Sequence, residues 1–301
     1  MPTPEPVPFT VITGFLGAGK TTHLNSLIRQ GLPRDSLIVV NDFGDINIDA
    51  ELIEYRDEQI LRLGNGCICC TLGGTLAEQL AQAMRLEPRP AAIYIEASGV
   101  AEPARIADIG RTSRQMRLAS VICLVDGSQI TRHAGDRYTA DVWRSQIAGA
   151  DQVVVNRLPP ANSEAYIQAF ELLKPINPAA WLNTDAGASV HRPAVRSLTP
   201  AAAQNQSRDM AWGSVSLSYR GAIDGERLEQ LLRQYSDVVL RAKGILARTG
   251  QQTAQVFQLS GGVPSWLPAR RDPAVNQLVC IGIKGPRFEA LAFELAQFEA
   301  A

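Results

Sequence analysis

Histidine is scarce in this 301-residue sequence. The three copies, His23, His133 and His191, stand far apart, and none is spaced to share a metal with another. All three read as structural or exposed residues. An excess of charge of either sign is also missing: 29 basic and 30 acidic residues leave a net charge of −1. That balance excludes the basic footprint of a nucleic-acid binder and the polybasic patch of a membrane-surface protein. No apolar run approaches the ~20 residues that cross a bilayer. Residues 1–8 carry neither the positive start nor the apolar centre of a secretory signal, so the expected location is the cytoplasm. Five cysteines are too few for a disulfide scaffold, and in a reducing compartment they are expected as thiols. What the chain does have is 46% apolar residues, enough for a sizeable core, and the length for one large domain plus a smaller one.

From residue 9 to about 184, apolar runs alternate with helical patterns. Strands are expected at 9–13, 37–41, 60–63, 91–97, 120–126, 153–156 and 180–183. Helices are expected at 20–30, 71–85, 101–109, 142–149 and 163–173. Strands separated by helices imply an α/β fold with a largely parallel sheet covered on both faces. Residues 186–210 lose periodicity, are rich in Ala, Ser, Pro, Gln and Asn, and read as a linker. Beyond them, strands at 215–219, 238–247, 254–259 and 278–283, with helices at 225–234 and 287–298, imply a small antiparallel sheet with helices on one face. The expected organisation is thus 1–185, a linker at 186–210, and an α+β domain at 211–301.

Gly14-Phe15-Leu16-Gly17-Ala18-Gly19-Lys20-Thr21 matches G-x-x-x-x-G-K-[ST] between an expected strand and an expected helix. Gly14, Gly17 and Gly19 let the backbone aim its amides at phosphate oxygens without a Cβ in the way. Lys20 supplies a mobile point charge for the β- and γ-phosphates, and the Thr21 hydroxyl is a candidate Mg²⁺ ligand. Glu96 ends another apolar run, where a Mg²⁺-holding carboxylate belongs. Gly99 follows at the D-x-x-G spacing, so its amide is a candidate γ-phosphate sensor. The other reading of Glu96 is a cap for the next helix, with Pro103 in its first turn. Segment 41–49 follows a strand and reads either as a switch segment or as a turn-rich polar loop. Asp42 and Asp45 are its candidates for positioning water or touching metal.

Cys67, Cys69 and Cys70 lie within four positions, behind Gly64 and Gly66. Thiolates select Zn²⁺, Cu⁺ and related ions over Mg²⁺ and Ca²⁺. Three thiolates leave a fourth tetrahedral position open, which suits a transferable ion better than a sealed structural site. A loop packed by three thiols, or a redox pair, are the competing readings. Cys123 and Cys280 stand inside apolar strands and read as core.

Together, the segments 14–22, 41–49, 66–70, 96–103 and 146–156 resemble the CobW-type metal-chaperone GTPases, relatives of UreG and HypB. The stretch 239–246 looks like part of the CobW C-terminal domain, with its basic Arg/Lys-Gly segment, so the resemblance spans nearly the whole chain. It implies GTP hydrolysis, with Mg²⁺, coupled to delivery of zinc, cobalt or a related ion to a client apoprotein, and leaves room for a homodimer. By this resemblance nucleotide contacts fall on 14–22, including Ala18 and Thr22, and on Asn156.

Three departures stand out. The family's guanine-reading N-K-x-D is here Asn156-Arg157-Leu158-Pro159, so the acceptor for guanine N1–H and its 2-amino group is replaced by proline. Asp185, after the last expected strand of the first domain, is the candidate substitute. The family's switch glutamates are replaced by Asp42 and Asp45, shorter by one methylene. The His-rich loop of many relatives has no counterpart. Two other functions fit these residues: a nucleotide-binding metal sensor or scaffold with little turnover, and an ATP-using P-loop enzyme.

Overall fold

The computed structural model describes residues 5–40, 60–62, 74–161, 163–184, 189–191, 212–269 and 276–298. They fall into two compact units. The first runs β1 (Val7–Gly14), α1 (Lys20–Gly31), β2 (Ser36–Val40), β3 (Ile60–Arg62), α2 (Gly74–Ala83), β4 (Ala92–Glu96), α3 (Pro103–Thr112), β5 (Met116–Asp126), α4 (Ile130–Gly135), α5 (Ala140–Ala148), β6 (Gln152–Asn156), α6 (Glu164–Leu173), β7 (Trp181–Thr184) and β8 (Ser189–His191). These strands form one sheet in the order β3-β2-β4-β1-β5-β6-β7-β8. All neighbours are parallel except β7 and β8.

Both faces of this sheet are covered, which is why its strands are continuous Val/Ile runs rather than alternating ones. Every residue of β2 is buried. On one face Ile12, Ile38, Val40 and Leu124 pack with Leu24, Leu27 and Ile28 of α1. On the other, Phe9 lies against Gly110 of α3, where a Cβ would approach its ring to 2.7 Å. Full burial of a side chain such as Phe9, Ile12 or Ile93 contributes about 1.5–3 kcal/mol relative to leaving it exposed. The parallel register brings Gly14 and three polar strand ends to one edge: Gly14 opposite Leu124, Glu96 opposite Ile12 and Val40, and Asp126 opposite Asn156. That edge is where open parallel sheets bind their ligands.

The second unit comprises β9 (Trp212–Tyr219), α7 (Gly225–Gln234), β10 (Val239–Leu246), β11 (Gln255–Ser260), β12 (Val263–Pro268), β13 (Asn276–Ile283) and α8 (Pro286–Ala296). Its sheet is antiparallel, in the order β12-β11-β10-β13-β9. Alternation puts Tyr219, Ala242, Leu246, Phe257, Leu278 and Cys280 on one face, packed with Leu228, Leu232, Phe288, Leu291 and Leu295 of the two helices. Asp224 starts α7 by accepting the amides of Glu226 and Arg227.

Three elements depart from the sequence expectation. Helix α4 precedes α5; its six residues are too few to show a helical period. Strand β8 lies within the stretch read as linker, and three residues are likewise too short to show alternation. Strand β12 carries Pro264 and Pro268, which argue against a strand in sequence. It is an edge strand, and the Ala269 amide bonding Ala254 O continues a ladder in which both prolines face outward, where no amide is needed.

Candidate functional site

At the end of β1 the chain turns sharply. Gly14 has φ +136, and a Cβ there would sit 2.3 Å from Leu124 O, so only glycine fits. Gly17 and Gly19 also have positive φ. Asn156, ending β6, donates its Nδ2 to Ala18 O at 2.7 Å. Arg157 donates Nη2 to Gly17 O at 3.1 Å and pairs through Nη1 with Asp126 Oδ2 at the end of β5. These carbonyls are therefore turned towards the β6 end. In a trans peptide the following amide points the opposite way, so the Gly19 N–H faces into the loop. Helix α1 begins at Lys20 behind an N-cap glycine that offers no side-chain acceptor to its first amides, the arrangement that suits an anion.

Lys20, 5% exposed, donates Nζ to Gly14 O at 3.0 Å and Phe15 O at 3.3 Å. Thr21 donates Oγ1 to Glu96 Oε1 at 2.8 Å. Glu96, 2% exposed at the end of β4, is thus brought onto the loop by strand register rather than held as a cap of the following helix. The N-cap of α3 is Glu102, with Pro103 in the first turn. The Thr21 hydroxyl and the Glu96 carboxylate form an oxygen-only donor pair of the kind that fits Mg²⁺.

After Glu96 the chain makes a close turn. The Ala97 amide bonds Ile12 O at 2.8 Å, and Ala101 N bonds Ser98 O at 3.0 Å. Gly99 lies directly on Leu16, where a Cβ would come within 2.5 Å of Leu16 Cδ2. Gln146 of α5 closes the other side, donating Nε2 to Gly99 O at 3.1 Å and Ala101 O at 3.2 Å. The phosphate-binding loop, Glu96 and Gly99 are therefore contiguous. The sequence assigns no role to Asp126 and brings in Gln146 only as the first residue of the 146–156 segment, because their partners lie 31 and 47 residues away. An acidic residue closing the apolar run of β5, as Glu96 closes β4, was the available signal for Asp126.

His133 packs against Phe15 of the loop, ring centroids 4.7 Å apart and planes inclined by 59°, and its Nδ1 lies 3.4 Å from Thr139 Oγ1. Burial lowers its pKa, with Arg132 acting in the same direction. Burial also lowers that of His23. Cys123 and Cys280 are core residues whose thiols burial pushes up to about 12, so neither offers a thiolate near neutrality. Arg241 and Lys243 of the basic segment lie on β10, buried, on the face opposite Ala242.

Asp42, Asp45, Cys67, Cys69, Cys70 and Asp185 lie outside the described residues. Among the described residues no three His, Cys, Asp or Glu side chains converge as a metal site. The strands that lead to the first five are described. Val40 pairs with Glu96 on one side and Arg62 on the other, so β2 and β3 both end at the Glu96 edge of the sheet. No helix among the described residues is long and apolar enough to cross a membrane.

Residues 8–182 match the family model of the CobW/HypB/UreG nucleotide-binding domain, and residues 212–299 match that of the cobalamin synthesis protein cobW C-terminal domain. A protein named zinc chaperone CobW, from Sinorhizobium sp, is 30% identical over 182 residues, covering 50% of this chain and 51% of that protein. Zinc-regulated GTPase metalloprotein activator 1 of Schizosaccharomyces pombe is 30% identical over 183 residues, covering 58% of this chain and 44% of that protein. The chain thus spans about half the length of these two relatives. Zinc chaperone YjiA of Escherichia coli (strain K12) is 28% identical over 279 residues, covering 84% of this chain and 86% of that protein. Zn(II)-bound YjiA GTPase from E. coli is also similar as a solved structure, at 20% identity over 98% of this chain and 99% of that one, with a TM-score of 0.43.

Proposed function

The chain belongs to the CobW/HypB/UreG family of P-loop nucleotide-binding proteins, and from that premise we propose that it is a GTP-hydrolysing metallochaperone that binds a thiophilic divalent ion and passes it to a client protein. The observation that carries the reading is the Thr21–Glu96 hydrogen bond. It joins the phosphate-binding loop to the strand edge from which the switch segment and the cysteine loop depart.

In this reading residues 1–185 bind nucleotide, 186–210 link, and 211–301 form the CobW-type C-terminal domain. Gly14, Gly17, Ala18, Gly19 and Thr22 line the phosphates, and Lys20 supplies the charge. Thr21 and Glu96 would hold Mg²⁺, which when bound neutralises charge on the β- and γ-phosphates. Lys20 stabilises the charge that develops as water attacks the γ-phosphorus and its bond to the bridging oxygen breaks, giving GDP and phosphate. Gly99 reads the γ-phosphate through its amide. Cys67, Cys69 and Cys70 hold the cargo, with zinc favoured over cobalt by the names of the relatives. Asp42 and Asp45 contribute to the switch. Reduced cysteines of this kind belong in the cytoplasm, where a client metalloprotein is the acceptor and a second copy of the chain is a candidate partner.

A second reading concerns the base. Pro159 has no side-chain acceptor, and the Asn156 Nδ2 is engaged with Ala18 O. This supports weak discrimination between guanine and adenine unless Asp185 supplies the missing acceptor. Both readings are tested by phosphate release from GTP, inosine triphosphate and ATP with Mg²⁺, alongside zinc stoichiometry of the reduced protein. Zinc binding lost in a Cys67/Cys69/Cys70→Ser variant, with Mg²⁺-dependent turnover retained, supports the proposal. Turnover with zinc bound elsewhere rejects the cargo site.

A further inference from the structure

Helix α5 meets both loops that face the phosphates. Three residues of its buried face, Trp143, Gln146 and Ile147, stand at the i, i+3, i+4 spacing of one helix stripe. Trp143 lies against His133, ring centroids 6.4 Å apart, and His133 in turn packs tilted against Phe15 of the phosphate-binding loop. One turn on, Gln146 reaches the loop after β4. The far end of the helix is pinned: Asn177 donates Nδ2 to Ile147 O, Ala148 O and Ala150 O at 2.8, 3.1 and 2.9 Å. Gln146 thus stands on an anchored helix.

The chemistry of Gln146 is specific. Its side chain is 1% exposed, and its Nε2 faces two backbone carbonyls, those of Gly99 and Ala101. Two acceptors require the amide nitrogen there, so the orientation of the carboxamide is fixed by its partners. Its Oε1 is buried with no hydrogen-bond donor among the described residues. A buried carboxamide whose oxygen is left unsatisfied is a costly way to fill space, so the two donated bonds are what this residue supplies. They fall on alternate residues of the turn and fix its curvature, while Leu16 limits Gly99 from the opposite side.

We propose that Gln146 is a positioning residue for nucleotide hydrolysis: by holding the carbonyls of Gly99 and Ala101 it fixes the turn in which Ser98 O accepts from the Ala101 N–H, and with it the Ser98–Gly99 peptide that presents the Gly99 N–H to the γ-phosphate end of the loop. It touches no reacting atom and acts through Gly99. The inference rests on the phosphate-site reading above. A turn so held pre-orders the Gly99 amide before the γ-phosphate arrives, so the residue contributes to the triphosphate state and little to the diphosphate state.

The test uses the full chain with Gln146→Leu, which keeps bulk and loses both donors. It also uses Gln146→Asn, which keeps the amide but draws it back by about one methylene, ~1.5 Å. Three quantities are read: kcat and KM for GTP, affinities for GDP and a non-hydrolysable GTP analogue, and thermal unfolding. Gln146→Leu is expected to lower kcat by about 10- to 100-fold. It should weaken the analogue several-fold while GDP affinity stays within about twofold. Gln146→Asn moves the same way by less, and carries the test if the leucine variant fails to fold. Equal losses for GDP and the analogue, or an unchanged kcat in a folded variant, overturn the inference while leaving the phosphate-site reading intact. A wild-type chain that binds nucleotide without turnover puts the decision on the two affinities alone. One that binds no nucleotide overturns both.

Discussion

Thr21, in the first turn of α1, and Glu96, at the end of β4, lie 75 residues apart in sequence and share a hydrogen bond of 2.8 Å, hydroxyl to carboxylate. The pairing of β4 beside β1 places Glu96, and the glycine turn from β1 into α1 places Thr21. In the proposed function the pair is the junction between the phosphates and the rest of the first unit. Thr21→Ala and Glu96→Gln should each lower Mg²⁺-dependent phosphate release by at least about 100-fold. Their thermal unfolding should change little beside that loss. Steady-state turnover against Mg²⁺ concentration checks it, and full activity in either variant refutes the assignment.

The turn at Gly14 has a steric and a conformational requirement, whereas Gly31 has only the second. At Gly31, φ +98 with nothing within 4 Å of an added Cβ, alanine should cost about 1–2 kcal/mol from backbone strain. At Gly14 the same change also drives a Cβ to 2.3 Å from Leu124 O, so the loss should be clearly larger. Denaturant unfolding of Gly14→Ala beside Gly31→Ala measures the difference.

Base selectivity should be recoverable. Pro159→Asp puts a carboxylate acceptor back at the position where the family's N-K-x-D motif carries its aspartate. The ratio of GTP to ATP affinity should rise by about tenfold or more. Arg157→Ala, by contrast, removes a guanidinium about half exposed to water, paired with Asp126 and bonded to Gly17 O. Its effect on stability should stay below about 1 kcal/mol, with the change felt in nucleotide affinity. Competition binding with GTP, inosine triphosphate and ATP separates the two.

Acid should loosen the loop. Burial lowers the pKa of His133 from its usual 6.5, and that of His23 likewise. A depressed pKa means the unfolded chain takes up protons first. The histidine contribution to stability is therefore complete above pH 6.5 and is lost as pH falls below it. For Cys123 and Cys280 the sign reverses with the charge type. Thiols raised from 9.0 to about 12 contribute fully below pH 9 and lose that contribution as pH climbs towards 12. Unfolding temperature against pH should show a plateau between the two limits, and His133→Phe should flatten the acid side.

Much of this was legible in the residues. The glycines, lysine and threonine of 14–21 announce themselves because phosphate binding needs those types in that order, and the order of elements follows from where apolar periods change. Helix α7 has the bounds its amphipathic pattern gives. Other features were hidden for physical reasons. Helix α4 and strand β8 are shorter than the period that would reveal them. Strand β12 disguises itself with prolines whose missing amides face an edge. The roles of Gln146 and Asp126 depend on partners that only the fold brings near.

In the proposed function, nucleotide state and cargo affinity are linked through the strand edge that bears Glu96. Zinc competition titration of the reduced chain, once with Mg²⁺ and GDP and once with Mg²⁺ and a non-hydrolysable GTP analogue, tests this most directly. The zinc affinities should differ by about fivefold or more, matched by an equal shift of analogue affinity when zinc is present. Identical zinc affinities in the two nucleotide states would contradict it.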